Sequence, residues 1–154
     1  MVNHRHAACT DAAIVTQQAR GELEGHPPIW IVEDEPASAK LAADICEASG
    51  AEPSVFHSPL PYLAALRGEH VPAAVILDWR LEHELSAALY LATRHRYPLL
   101  PVIYWTGSVS TTLPGVIRDD AMTVVVDKTD GSLAFERALA WALSDVPVPS
   151  DRSR

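Results

Sequence analysis

Glu33 with Asp34, Asp78, Thr106 and Lys128 each close a short apolar run: IWIVEDE (29–35), AVILDWR (74–80), VIYWTGS (102–108) and VVVDKTD (124–130). Carboxylates, one hydroxyl and one ammonium at successive strand ends are the groups a magnesium-assisted phosphoryl transfer to aspartate requires. A hard cation takes oxygen ligands, a carboxylate serves as nucleophile, and donors hold the transferred oxygens. Asp34 to Asp78 is 44 residues, Asp78 to Thr106 is 28 and Thr106 to Lys128 is 22. The first interval fits two βα units and the others one each. Clustering acids has a cost: two carboxylates about 5 Å apart repel by roughly 3 kcal/mol at an effective dielectric of about 20, which raises one pKa or recruits a cation.

The positioning elements are legible as alternating strands and helices. Strand-like runs lie at Ile29–Glu33, Pro53–His57, Ala73–Asp78, Pro101–Thr106 and Met122–Asp127. They are mostly continuous apolar stretches, as in a parallel sheet buried on both faces. Helices are expected near 36–49, 59–68, 85–96, 110–120 and 131–144. Leu41, Ala42, Ile45 and Ala48 form the expected core stripe of the first, with Gly50 as its C′ residue. Phe135, Ala138, Leu139 and Ala142 do the same in the last, leaving Trp141 and Leu143 beyond the stripe. Pro114 and Gly115 interrupt the fourth. Right-handed crossovers then give an α/β fold: a five-stranded parallel doubly wound sheet, order 2-1-3-4-5, whose switch point lies between strands one and three.

With 154 residues, 48% hydrophobic and 21% charged, the chain is read as one globular domain. A formal net charge of −8 disfavours nucleic-acid binding. Only two of the twelve basic residues are lysines, and one of them, Lys128, sits at a strand end. Cys9 and Cys46 fit no metal or redox spacing. No secretory or membrane-spanning run is present, so a cytoplasmic protein without membrane contact is expected. Residues 1–27, containing His4 and His6, are expected to be a disordered extension, 28–145 the domain, and 146–154 a polar tail.

At these residues the chain resembles the receiver domains of two-component response regulators, the family that includes the chemotaxis regulator, over roughly 28–145. The acidic pair is Glu33-Asp34, the phospho-acceptor Asp78, the switch hydroxyl Thr106 and the strand-five lysine Lys128. The resemblance implies the flavodoxin-like receiver fold. It also implies magnesium (Mg2+) held by Asp34, Asp78 and the Arg80 backbone carbonyl, with Glu33 acting through water. A histidine kinase or phosphotransfer protein would donate the phosphoryl group. The implied role is that of a stand-alone signalling domain, catalysing at most its own phosphorylation and dephosphorylation. It would relay its signal by contact with a downstream protein target or as a homodimer through helix four, strand five and helix five.

Three departures bear on the readout. Thr129 follows Lys128 where the family has a cis proline, Val125 replaces the switch aromatic, and the loop from Trp79 to Glu84 lacks the usual Pro and Gly. Gly107 keeps the small residue after Thr106. These changes favour, as an alternative, an atypical receiver-like adaptor that binds partners independently of phosphorylation. Arg80 could reach the phosphoryl group or pair with Glu82 or Glu84, and His83 could assist nearby. A haloacid-dehalogenase-type phosphatase is disfavoured, since Arg80 stands where its second acid belongs.

Overall fold

The computed structural model describes residues 25–81, 84–107 and 113–144. His83, Glu82, most of the 1–27 extension with His4, His6 and Cys9, positions 110–112 of the expected fourth helix, and the 146–154 tail lie outside them. His26, though exposed, is already tied to the domain: its ring nitrogen lies 2.8 Å from the Gly50 carbonyl, and Pro27 accepts from the Glu52 amide at 2.9 Å.

Strands β1 (Pro28–Val32), β2 (Glu52–Phe56), β3 (Ala74–Leu77), β4 (Val102–Thr106) and β5 (Thr123–Asp127) alternate with helices. These are α1 (Pro36–Ala48), α2 (Pro59–Leu66), α3 (Ala87–Arg96), α4 (Gly115–Arg118) and α5 (Ser132–Ala142). The five strands are parallel in the order β2-β1-β3-β4-β5, as the sequence implied. Alternation divides the apolar side chains between two layers. Ile29, Ile31, Ile76, Ile103 and Trp105 face α1 and α5; Trp30, Val32, Val75, Leu77 and Tyr104 face α2, α3 and α4. No helix among the described residues is long and apolar enough to cross a membrane.

α1 shows how local sequence sets its ends. Glu35, outside the helix as its N-cap, accepts from the Ala37 amide at 3.1 Å and the Ser38 amide at 2.6 Å, and Pro36 occupies the first turn. At the other end Gly50 has φ +84, its amide bonds Glu47 O and the Ala51 amide bonds Cys46 O, a Schellman closure.

Three expectations need correction. The buried stripe of α1 is Ala39, Ala42, Ile45 and Cys46, while Leu41 is 49% exposed and Ala48 is exposed. Among the described residues the fourth helix is the single turn Gly115–Arg118, because Pro114 has no amide hydrogen to continue a helix through it and instead caps the turn. The segment after Asp78 is not simply a loop: Arg80–Leu81 pairs antiparallel with Glu84–Leu85, delaying α3 to Ala87.

The N-terminal edge of the sheet is fastened by Arg94 and Asp120. One Asp120 carboxylate oxygen accepts from Arg94 Nε at 2.9 Å, the Tyr90 hydroxyl at 2.6 Å and the Thr123 hydroxyl at 3.0 Å. The other accepts the Met122 amide at 2.9 Å. Arg94 also donates to the carbonyls of Tyr97, Pro98 and Leu100, tying α3 to the loop that leads into β4. Burial opposes ionisation of Asp120, but Tyr90, the Met122 amide and Arg94 outweigh it, so its carboxyl titrates below the ordinary 3.8. The stabilisation is therefore complete above that value and lost as pH falls through the depressed one. Asp120→Asn should lower stability by about 2 kcal/mol at neutral pH. Urea denaturation should show the deficit shrinking below pH 3.8; a pH-independent deficit would exclude the ionised carboxylate as its source.

Candidate functional site

β1 and β3 lie side by side, with Val32 opposite Leu77, so the chain leaves both strands at the same sheet edge. Glu33 and Asp34 follow one strand and Asp78 the other. Ligand oxygens of all three carboxylates come within 4.8 Å of one another. Glu33 and Asp78 are buried and Asp34 is half-buried. Thr106 ends β4, buried, opposite Asp127 of β5. Lys128, the next residue, sends its side chain back across the edge.

Lys128 Nζ donates to Glu33 Oε2 at 2.7 Å and to Asp78 Oδ2 at 3.1 Å. The remaining oxygen of each acid takes a backbone amide: Glu35 N to Glu33 Oε1 at 3.1 Å, Arg80 N to Asp78 Oδ1 at 3.3 Å. Both acids are thus held in fixed orientation by their own loops and joined by one cation. Burial, opposed by the Lys128 bond and assisted by the Asp78 charge, pushes the Glu33 carboxyl up to about 7. Burial alone would lower the Lys128 ammonium, but Glu33 and Asp78 outweigh it and hold it above the ordinary lysine value. Lys128 is the firmly charged member of the pair, and Glu33 the marginal one.

The structure therefore brings Glu33, Asp34, Asp78 and Lys128 together, with Thr106 buried at the same edge. Glu35 stays apart as the α1 cap. The Arg80 side chain is exposed, and its link to the site is its backbone. Gly107 is exposed, and a Cβ there would meet nothing within 4 Å.

Sequence reading missed two residues around Lys128. Asp127 caps the turn Lys128–Asp130, accepting from the Thr129 amide at 2.8 Å and its hydroxyl at 2.7 Å. Trp105 lies under the ammonium, its ring centroid 5.1 Å from Nζ. The Asp-x-Thr spacing could have revealed the cap. Nothing in the sequence places an indole from β4 beneath a side chain that leaves β5.

Lys128→Met should cost about 2 kcal/mol, since it leaves Glu33 and Asp78 without their shared cation. Adding Glu33→Gln should restore part of that loss by removing the most buried charge. Chemical denaturation in a metal chelator measures both; an unchanged Lys128→Met protein would mean the bridge contributes nothing to the fold.

Neither a protein-family model nor a curated protein matches the chain. Solved structures do. The response regulator receiver protein of Sinorhizobium medicae WSM419 aligns over 77% of this chain and 94% of its own, at 15% identity and TM-score 0.68. SdrG of Sphingomonas melonis Fr1 aligns over 77% and 97%, at 28% identity and TM-score 0.62. The receiver domain of the sensor histidine kinase PA1611 of Pseudomonas aeruginosa PAO1 aligns over 77% and 99%, at 14% identity and TM-score 0.62. That structure has magnesium coordinated in its active-site cleft. Strand order, helix placement and these alignments together give this chain the fold of the response regulator receiver domains.

Proposed function

We propose that the domain accepts a phosphoryl group on Asp78 from a histidine kinase or phosphotransfer protein, and relays the signal by protein–protein contact in the cytoplasm. The observation that carries this reading is the Lys128 ammonium bridging Glu33 and Asp78 where β1, β3 and β5 end. In the transfer an Asp78 oxygen attacks phosphorus, and the P–N bond of the donor phosphohistidine breaks with its electron pair returning to the imidazole. Lys128 follows the charge onto a phosphoryl oxygen, and the Thr106 hydroxyl donates to another.

The residues fit a magnesium ion. The donor set of Glu33, Asp34, Asp78 and the Arg80 backbone carbonyl is all oxygen. Three clustered carboxyl groups against the one Lys128 ammonium leave an acidic excess that a divalent cation offsets. When bound, the ion supplies charge neutralisation at the acceptor. Wild type should gain phosphate from acetyl phosphate only with magnesium, as read by intact mass. Asp78→Asn should gain none and Asp34→Ala should be at least tenfold slower. Equal uptake by Asp78→Asn would overturn the assignment.

The contact face proposed for output lies on β5 and α5. Trp141 is half-buried against the core and lines a groove of about 400 Å³ with Val124, Val126 and Arg137. Val125, in place of an aromatic, supports the second reading, in which this face binds a partner or a second copy without waiting for phosphorylation. Sedimentation of wild type should then show self-association that depends little on acetyl phosphate and is lost in Trp141→Ala. A monomeric wild type under both conditions would remove the homodimer.

A further inference from the structure

We infer that Trp105 is a positioning residue of the site: its indole face holds the Lys128 ammonium in place beside Glu33 and Asp78. The inference rests on the phosphoryl-accepting role proposed above and deepens it.

Lys128 carries four rotatable carbons, and the Asp127 cap fixes only the backbone from which they start. Glu33 and Asp78 attract the ammonium from one side, at 2.7 and 3.1 Å. The Trp105 ring supplies another wall, its centroid 5.1 Å from Nζ, inside the range of about 6 Å over which an aromatic face attracts a cation. That wall is rigid. Trp105 is 5% exposed and packs at 4.8 Å on the fully buried Phe135 of α5.

As a filler of the core, tryptophan is a poor choice here. Its indole N–H is buried with no hydrogen-bond partner among the described residues, a cost that phenylalanine would avoid. What indole adds is the aromatic face with the strongest attraction for a cation. It does so without negative charge, in a pocket where a fourth carboxylate would increase the repulsion. It also accepts no directional hydrogen bond from the ammonium. Lys128 can therefore exchange a carboxylate oxygen for a phosphoryl oxygen while its ring contact is kept.

Site-specific insertion of fluorinated tryptophans at position 105 weakens the cation attraction stepwise while leaving ring size nearly unchanged. The logarithm of the acetyl-phosphate labelling rate should fall with each fluorine, reaching about a tenfold loss in the most fluorinated protein. A flat series in proteins of wild-type melting temperature would overturn the positioning role. Independently of any phosphoryl donor, a denaturation cycle of Trp105→Leu and Lys128→Met should show coupling of about fivefold in the folding equilibrium constant. Additive effects would deny the contact. If wild type takes up no phosphate at all, the reading of the site fails and the positioning role falls with it; coupling that survives would then mark the contact as structural only.

Discussion

The Lys128 bridge is the interaction on which the arrangement depends. Glu33 and Lys128 are separated by 95 positions in the chain, yet their charged atoms are 2.7 Å apart. Reaching across requires β1 and β3 to end together, β5 to follow on the far side of β4, and every register to be right. A slip of one residue in β5 would turn Lys128 to the opposite face of the sheet. The bridge in turn permits the acids to stand together. Without a cation among them, their mutual repulsion would act against the parallel pairing that brings them there.

The two ends of the same sheet use similar groups to opposite effect. At the N-terminal edge Asp120 accepts from an arginine, two hydroxyls and an amide, and Arg94 also donates to neighbouring carbonyls and the Thr123 hydroxyl. Charge there is balanced one against one, so the cluster behaves as a fastener. At the C-terminal edge one ammonium bridges two of three clustered carboxylates, and burial holds Glu33 up to about 7. That imbalance invites a further cation. Charge excess under burial, rather than the presence of acids, separates the candidate site from the clamp.

The strands were legible to within a residue because buried parallel strands read as unbroken apolar runs, and the site residues are the polar groups that stop those runs. Helix phase was less legible. Alanine-rich α1 offers weak contrast, and the largest side chain drew the stripe onto Leu41, whereas the sheet receives the smaller Ala39 and Cys46. The hairpin after Asp78 was hidden for a different reason: two-residue arms carry no periodicity. Trp105 was hidden because its role comes from a neighbour in space. Strand alternation assigns it correctly to the core facing α5, but the ammonium above it arrives from the next strand.

The departures from the receiver pattern also have a physical account at the level of packing. Val125 leaves β5 without a large side chain on the face toward α4, where it packs half-buried against the core. Aromatic volume on that face comes instead from β4 and the acceptor loop. Tyr104 is fully buried and meets Trp79, the residue after Asp78, edge-on at 6.2 Å; Tyr90 lies 6.4 Å away and anchors its hydroxyl on Asp120. Such rings have few alternative rotamers in a close-packed interior. Thr129 meanwhile replaces a backbone constraint with a side-chain one, since the Asp127 cap closes the turn that a proline would otherwise shape. The Thr129 constraint thus stays at the end of the edge strand β5, whereas the aromatic bulk lies in the interior, next to the strand and loop that carry Thr106 and Asp78. Packed this way, the edge around Asp78 and Thr106 is braced by buried rings, and β5 carries no aromatic side chain of its own.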